Sequence, residues 1–335
     1  MSSVVSGSLI DVPGLSVGHA SLGDTGVSVI LGSPQGMTAG VDVRGGGPGT
    51  RETDLLEPYN TVERVHAVLL AGGSAFGLAA ADGVMTQLEA VGIGFPVLGE
   101  GVSGPRIPIV PAAVIFDLLV GDPTHRPTAA DGAAATRSAL EATGSQAHRS
   151  GSLGAGCGAS AGVLRGGFGQ ASIRVGDYVV AAAVVANPVG EVVDAETGLL
   201  FGDSTLPPVD RAAFARLSRP PASLNTTIGV VATDAPVNKS QAKRLAMVGH
   251  DGIARAVRPA HSPLDGDTLF GVSTNESAGG VEIAVLHELS QAAAEVVCAA
   301  IVDAVTSAVS GHGLTAWPQL LSGEVSNGPI DSAQS

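Results

Sequence analysis

The junction between Asn225 and Thr226 carries the most suggestive chemistry in this sequence. There a hydroxyl residue follows a proline-rich break and precedes a predicted strand over 228–232. Cleavage of this peptide bond would give Thr226 a free α-amino group. An N-terminal threonine holds a nucleophilic hydroxyl and, in its own amine, a base that titrates near neutral pH. The junction therefore predicts a self-activated nucleophile, and the alternative is an ordinary loop that ends in a strand.

Polar side chains that would serve such a nucleophile stand at two other predicted strand ends. Asn187 follows an apolar strand and precedes a proline, so its amide either closes a local turn or donates to an oxyanion. Asp265 and Asp267 are two residues apart before a predicted strand, and such residues point to one side of an extended chain. The pair predicts contact with an ammonium or hydroxyl group. An acidic turn is the alternative, and no histidine pair at ligand spacing supports a metal site.

Two glycine-rich segments are candidate parts of a cleft. Gly72 and Gly73 form a turn after a predicted strand, where their amides either allow tight packing or face a reacting carbonyl. The spacing departs from the G-x-G-x-x-G pattern, which disfavours nucleotide binding. Arg44 and Arg51 lie in the glycine-rich loop 42–54. That loop is either a solvated hairpin or a cleft loop whose arginines bind a substrate carboxylate or a neighbouring loop.

The composition indicates an acidic globular chain of 335 residues, 44% of them hydrophobic, with a formal net charge of −14. Aromatic residues make up only 3% while glycines number 47, so we expect a core of small and β-branched side chains. The negative charge disfavours nucleic acid and anionic membranes as partners, because both require a basic face. The two cysteines lie far apart in the sequence, and its first residues lack the basic segment followed by an apolar segment that is typical of a secretory signal. Both features favour a cytoplasmic location.

Hydrophobic periodicity predicts alternating strands and helices, and hence a single α/β domain over 1–335. The predicted strands are 27–31, 65–70, 112–120, 171–175, 178–186, 228–232, 269–273 and 282–286. The predicted helices follow the Gly72 turn to about 91 and then cover 131–143, 238–257 and 291–309. Residues 195–224 contain four prolines and predict an exposed linker, and residues 322–335 predict a loose tail.

Several motifs in a fixed order make the chain resemble the DmpA-type family of N-terminal-nucleophile aminopeptidases, which includes β-aminopeptidases and the nylon-oligomer hydrolase. The resemblance spans about residues 10–310. The motifs are 14–19 (GLSVGH), 42–56, 70–78 (LAGGSAFGL), 108–117 (PIVPAAVIFD), 154–159 (GAGCGA), 186–190 (ANPVG), 225–227 (NTT) and 265–268 (DGDT).

The resemblance implies a mixed α/β (α+β) fold, a four-layer αββα sandwich shared with the ornithine acetyltransferases. It also implies a precursor that cleaves itself into an α chain, 1–225, and a β chain, 226–335, which stay associated in a tetramer of heterodimers. By matching position, Thr226 is the nucleophile and Asn187 donates to the oxyanion. Asp265 and Asp267 orient the nucleophile and its amine. Neither a metal nor an organic cofactor is implied.

The sequence departs from the family pattern at Val163, where similar proteins often have a lysine, and the nearest basic residue is Arg165. The resemblance implies a hydrolase acting on small peptides or amides with a free amino group, which cleft carboxylates would attract. Two alternatives stay open. One is acyl transfer between amino acids of the ornithine acetyltransferase type, and the other is a non-catalytic protein that binds a small molecule at the Gly72 turn.

Overall fold

The computed structural model describes residues 5, 7–142, 149–218 and 225–321. The strands are β1 (Ser16–Ser21), β2 (Gly26–Leu31), β3 (Met37–Val43), β4 (Thr50–Arg51), β5 (Arg64–Val65), β6 (Ala67–Ala71), β7 (Phe95–Pro96), β8 (Arg106–Ile107), β9 (Ala112–Val114), β10 (Ser160–Ala161), β11 (Leu164–Arg165), β12 (Gly167–Val175), β13 (Tyr178–Ala186), β14 (Ile228–Thr233) and β15 (Thr268–Ser273). The helices are α1 (Ala80–Ala90), α2 (Ala129–Glu141), α3 (Arg211–Phe214), α4 (Lys239–Ala256), α5 (Ile283–Thr306) and α6 (Trp317–Leu321).

Two large sheets form the centre of the molecule. One has five strands in the order β1-β2-β6-β9-β4, and the other has six in the order β12-β13-β14-β15-β3-β5. Neighbouring strands run antiparallel except for β6 with β9 and β14 with β15, which are parallel. A strand that joins a parallel neighbour needs a crossover connection, and α4 supplies it between β14 and β15.

The sheets and helices stack in four layers, which confirms the predicted αββα sandwich. Helices α4 and α5 cover the outer face of the six-stranded sheet, and α1 and α2 cover that of the five-stranded sheet. Phe168 and Phe270 fill the space between the two sheets. Because both faces of each sheet are covered, β13 and β14 read as continuous apolar runs. On β14, Val230 packs toward the other sheet and Val231 toward the helices.

Helix α5 is the core helix of one outer layer. By length and composition it is apolar enough to cross a membrane, yet 56% of its most apolar window is buried inside the protein. The helix lies against β12, β13 and α4. At Gly169 on β12 an added Cβ would overlap the carbonyl of Ala300 on α5, so the helix and sheet backbones touch. Its apolarity is thus explained by packing.

Two predicted strands are wrong in extent or type. Of the predicted strand 112–120, only β9 forms a strand in the structure. Its partner β6 ends at Ala71, opposite Val114, and the chain then turns at Gly72, so the residues after Val114 have no strand to pair with there. The predicted strand 282–286 is the beginning of α5. Ile283 is 78% exposed, and Val285 and Leu286 pack against the core only partly buried, as on one face of a helix.

The predicted linker is more ordered than its composition indicates. Within 195–218 the chain forms α3, and Leu200, Val209 and Phe214 are buried in the core beneath α5. The remaining residues of the predicted linker, 219–224, lie outside the described residues, as does the predicted tail 322–335.

Candidate active site

The topology of the six-stranded sheet brings the predicted catalytic residues to one edge. Strand β13 ends at Ala186, and its antiparallel neighbour β14 begins at Ile228, opposite Val185. Strand β15 runs parallel to β14, so Thr268 at its start lies opposite Ile228. The residues just outside these three strands, Asn187, Thr226 and the 265–267 turn, therefore meet at the same sheet edge.

At this edge the Asn225–Thr226 peptide is held by several short contacts. The Thr226 hydroxyl donates to the Asn225 carbonyl oxygen at 2.6 Å. The same oxygen accepts the backbone N–H of Gly266 at 3.0 Å, and the N–H of Asn225 donates to the Leu264 carbonyl at 3.2 Å. The Asn225 carbonyl oxygen thus lies beside the Thr226 hydroxyl and faces a fixed amide donor.

Asn187 is fully buried and bound at both ends of its side chain. Its Oδ1 accepts the backbone N–H of Ser160 at 2.8 Å, and its Nδ2 donates to the Phe116 carbonyl at 3.1 Å. Its backbone carbonyl accepts the N–H of Thr226 at 2.7 Å. Asn187 therefore positions the nitrogen of the proposed nucleophile, and one Nδ2 hydrogen remains for a further acceptor.

Asp265 and Asp267 are buried behind Thr226 and bind backbone groups. Asp265 accepts the N–H of Val189 at 3.0 Å and that of Ser262 at 2.9 Å. Asp267 accepts the N–H of Thr227 at 2.7 Å through one oxygen. Burial, with a smaller contribution from the Asp267 charge, raises the pKa of Asp265 above its ordinary value. The carboxylates thus fix the turn that carries Gly266 and hold the start of β14.

A cavity of about 190 Å³ opens onto Thr226. Its described lining consists of Gly47, Pro48, Gly49, Ser74, Ala75, Val114, Ile115, Phe116, Asn225, Thr226 and Leu264. No charged side chain belongs to this lining. The expectation of cleft carboxylates is therefore wrong for the described part of the cavity, because both aspartates lie behind the nucleophile with their oxygens occupied by N–H donors.

The predicted glycine turn lies beside the cavity and does not line it. Ser74 and Ala75, the next residues along the chain, form that part of the wall. Gly73 has a left-handed φ of 80° and donates its N–H to Asp117 at 2.6 Å. The sequence predicted the glycine turn correctly. The hydrogen bond from Gly73 to Asp117 decides which residues of the turn face the cavity, and a sequence pattern does not show it.

The two predicted arginines hold neighbouring elements and are absent from the described cavity lining. Arg44 pairs with Asp42 at 2.8 Å, and Arg51 pairs with Asp82 on α1 at 2.6 Å. Their loop nevertheless reaches the site through its backbone, since the N–H of Gly47 donates to the Asp265 carbonyl at 2.8 Å. Of the two interpretations of the arginines, binding to neighbouring elements fits these contacts.

Val163 and Arg165, at the departure from the family pattern, are both buried outside the described cavity lining. The N–H of Val163 donates to Glu191 at 3.2 Å. The Arg165 guanidinium donates to the Cys157 carbonyl, and burial lowers its pKa. Asp117 lies close enough to act on this guanidinium, and burial raises the pKa of Asp117 to about 6. Arg165 thus binds the loop at Cys157, and Asp117 binds the Gly72–Gly73 turn through the Gly73 N–H.

Sequence reasoning missed the backbone N–H of Gly266, which donates to the Asn225 carbonyl oxygen at 3.0 Å. Its signal was present in the sequence as the glycine between Asp265 and Asp267. Sequence reasoning also missed Phe116, Leu264, Ser74 and Ala75 as cavity residues. Within the described ranges, no group of three or more His, Cys, Asp or Glu side chains is placed to hold a metal ion.

The structure places a buried threonine beside a cavity at the edge of a sheet in a four-layer sandwich, and comparison with known proteins assigns the family. The profile of peptidase family S58 matches residues 7–316. The chain belongs to that family and is a hydrolase of its aminopeptidase and amidase class. It is 47% identical over 342 residues to an uncharacterized aminopeptidase of Mycobacterium leprae, covering 92% of this chain and 93% of that protein. It is 34% identical over 283 residues to the 6-aminohexanoate-oligomer endohydrolase of Kocuria sp. strain KY2, covering 79% and 74%.

Solved structures share the fold. A β-aminopeptidase from a Burkholderia species superposes with a TM-score of 0.70 at 24% identity, covering 91% of this chain and 88% of that one. The L-aminopeptidase D-Ala-esterase/amidase of Ochrobactrum anthropi, described as a variant of the Ntn hydrolase fold, gives 0.69 at 24% identity, covering 92% and 88%. The family profile and the curated relatives confirm the predicted DmpA-type family, and these superpositions confirm its fold.

Proposed function

We propose that the chain is a precursor that cleaves itself between Asn225 and Thr226 and then hydrolyses small amides or peptides through an acyl-enzyme on Thr226. One observation carries the proposal. The Asn225 carbonyl oxygen accepts both the Thr226 hydroxyl at 2.6 Å and the Gly266 amide at 3.0 Å. A carbonyl held in this way is polarised by a fixed donor at the place where negative charge would develop during attack.

In the cleavage step, Oγ1 of Thr226 bonds to the Asn225 carbonyl carbon, and the bond from that carbon to the Thr226 nitrogen breaks. The hydroxyl proton passes to that nitrogen, and Asn225 is left as an ester on Thr226. Water then hydrolyses the ester: its oxygen bonds to the Asn225 carbonyl carbon as the bond from that carbon to Oγ1 breaks, one water proton goes to Oγ1, and the other passes to the Thr226 amine as the new carboxyl group ionises. The products are an α chain of residues 1–225 and a β chain of residues 226–335.

In the processed enzyme, the freed amine of Thr226 takes the hydroxyl proton as Oγ1 attacks a substrate amide, and it passes that proton to the substrate nitrogen as the carbon–nitrogen bond breaks and the amine product leaves. The carbonyl of Asn187, which accepts the Thr226 N–H at 2.7 Å, would keep the amine in place. The Gly266 amide and the remaining Nδ2 hydrogen of Asn187 are the proposed oxyanion donors. Water releases the acyl group in the second half of the cycle.

The cavity favours substrates whose acyl group is uncharged next to the scissile carbonyl. Its described lining offers glycines, apolar side chains and Ser74, and no carboxylate. A substrate α-ammonium group there would be desolvated without a partner and would lie close to the Thr226 amine, which carries a like charge when protonated. We therefore propose small amides of neutral or ω-amino acyl groups as substrates, and an assembly of processed heterodimers in the cytoplasm.

The test is intact mass spectrometry of the purified protein beside Thr226→Ala and Thr226→Ser. We expect two chains from the wild type, one chain from T226A, and cleavage in T226S because serine keeps a hydroxyl. An unsplit wild type that hydrolyses amides would refute the mechanism. Acyl transfer to an added amino acid in place of hydrolysis would instead favour the transferase alternative.

A further inference from the structure

His261 is a partly buried histidine that donates two hydrogen bonds to Asp267, the carboxylate next to the proposed nucleophile. Its Nδ1 donates to Asp267 Oδ2 at 2.7 Å, and its backbone N–H donates to the same oxygen at 3.2 Å. The other oxygen of Asp267 accepts the N–H of Thr227. Asp267 is therefore held on one side by His261 and on the other by the residue that follows the nucleophile.

The backbone of His261 adopts a conformation that is costly for a histidine. Its φ is +56°, in the left-handed region that favours glycine and asparagine. This conformation lets the ring and the backbone N–H converge on one carboxylate oxygen. A backbone of this kind persists where the surrounding structure enforces it. Here it accompanies the contact from His261 to Asp267, and Asp267 binds the N–H of Thr227, the residue after Thr226.

Around the ring, the charged and titratable groups come from three elements. His250 on α4 packs edge-on against His261, with 4.9 Å between ring centroids. Burial lowers the pKa of His250 to about 4, so this neighbour is neutral near pH 7. Its Nε2 donates to the Asp42 carbonyl at 3.0 Å, and Asp42 on β3 pairs with Arg44. Asp267, on the turn before β15, is thus the only carboxylate with a direct contact to the His261 ring among the described residues.

We infer that His261 is a positioning residue of the hydrolase, which fixes the orientation of the Asp267 side chain and through it the backbone that carries Thr226. The inference rests on the proposed function of Thr226. A short hydrogen bond from an imidazole N–H holds a carboxylate in one orientation. Without the ring, Oδ2 of Asp267 keeps, among the described residues, only the backbone N–H at position 261 as a donor, at 3.2 Å, so the carboxylate is held less firmly. The Thr227 N–H would then lose its fixed acceptor.

The test compares His261→Gly, His261→Asn and the control His312→Gly. Glycine removes the ring and suits the left-handed backbone. Asparagine also tolerates that backbone and keeps a donor near the Nδ1 position. His312 is an exposed histidine that also has a left-handed φ, +52°, so its replacement controls for the backbone change.

We expect H261G to lower kcat and the rate of self-cleavage at pH 7 by about tenfold or more, with KM changed less than about threefold. H261N recovers activity to within about threefold of the wild type, and H312G behaves like the wild type. Equal rates in H261G and the wild type would overturn the inference. So would equally slow H261G and H261N, which would indicate a structural role only.

A spectroscopic readout separates this inference from the proposed function. The His261 N–H bound to a carboxylate gives a downfield proton resonance, which we expect in both the wild type and uncleaved T226A. It disappears in H261G and H261N. If the resonance is absent from the wild type, the positioning role is overturned whatever the activity. If it is present in a protein that neither cleaves itself nor hydrolyses amides, the proposed function fails and His261 has only the structural role, which also overturns the inference.

Discussion

Gly266→Ala is the sharpest perturbation of the proposed self-cleavage, because it acts on the amide that contacts the scissile carbonyl. The backbone of Gly266 lies outside the left-handed region, so alanine can adopt it. An added Cβ, however, would lie 2.7 Å from the Gly47 carbonyl oxygen, 2.7 Å from Thr226 Oγ1 and 3.1 Å from Cα of Pro48. Two of these neighbours are backbone atoms, so the turn must shift by several tenths of an ångström.

That shift moves the Gly266 N–H away from the Asn225 oxygen, to which it donates at 3.0 Å, and displaces Thr226 Oγ1 as well. Removal of one oxyanion donor from an acyl-transfer enzyme costs about 2.7–4 kcal/mol of transition-state stabilisation, or a factor of about 10² to 10³ in rate. We expect self-cleavage of G266A to slow by at least about 100-fold.

The assay follows the conversion of the 33.0 kDa precursor into two chains by intact mass at timed intervals after cell-free synthesis. Gly311→Ala is the matched control, because its added Cβ meets no heavy atom within 4 Å and its backbone also suits alanine. Thermal melting of G266A beside uncleaved T226A tests whether the variant is folded. Cleavage of a folded G266A within about threefold of the wild-type rate would refute the role assigned to this amide.

Three further predictions follow from the site. Asn187→Ala leaves the Ser160 N–H and the Phe116 carbonyl without their side-chain partner. We therefore expect a lower melting temperature and self-cleavage slowed by about 100-fold, and wild-type cleavage kinetics would contradict this. Asp117 has a folded-state pKa raised from 3.8 to about 6, so the wild-type unfolding free energy should fall relative to that of Asp117→Asn by about 2 kcal/mol as pH rises from 4 to 8, mostly below pH 6. Urea unfolding at pH 4 and 8 measures the difference, and a constant value would refute the prediction. The uncharged cavity lining predicts that butyryl p-nitroanilide is hydrolysed at least about tenfold faster than alanyl p-nitroanilide. A carboxylate introduced by Ala75→Asp should reduce this ratio of rates, and faster hydrolysis of the alanyl substrate by the wild type would contradict the prediction.

The sequence contained enough information for the class of fold and for the residue types of the site. Long apolar runs such as β13 and β14 marked strands buried on both faces, and the ordered motifs indicated the αββα sandwich. Short apolar runs were harder, because a few aliphatic residues suit a strand or the first turn of a helix equally well. The segment after Glu282 was assigned wrongly for this reason, and only its packing beside α4 showed it to be the start of α5.

For the site, the sequence by itself marked Thr226 as a candidate nucleophile through chemistry local to that residue. The ordered motifs that resemble the family indicated Asn187, Asp265 and Asp267 as its companions. Only the tertiary structure decided which atoms meet. The parallel pairing of β14 with β15 places the Gly266 amide on the Asn225 carbonyl, and the antiparallel pairing with β13 places the Asn187 carbonyl on the Thr226 N–H. It also turned both aspartates away from the cavity. Such contacts depend on strand register between segments far apart in the chain, and no local pattern encodes register.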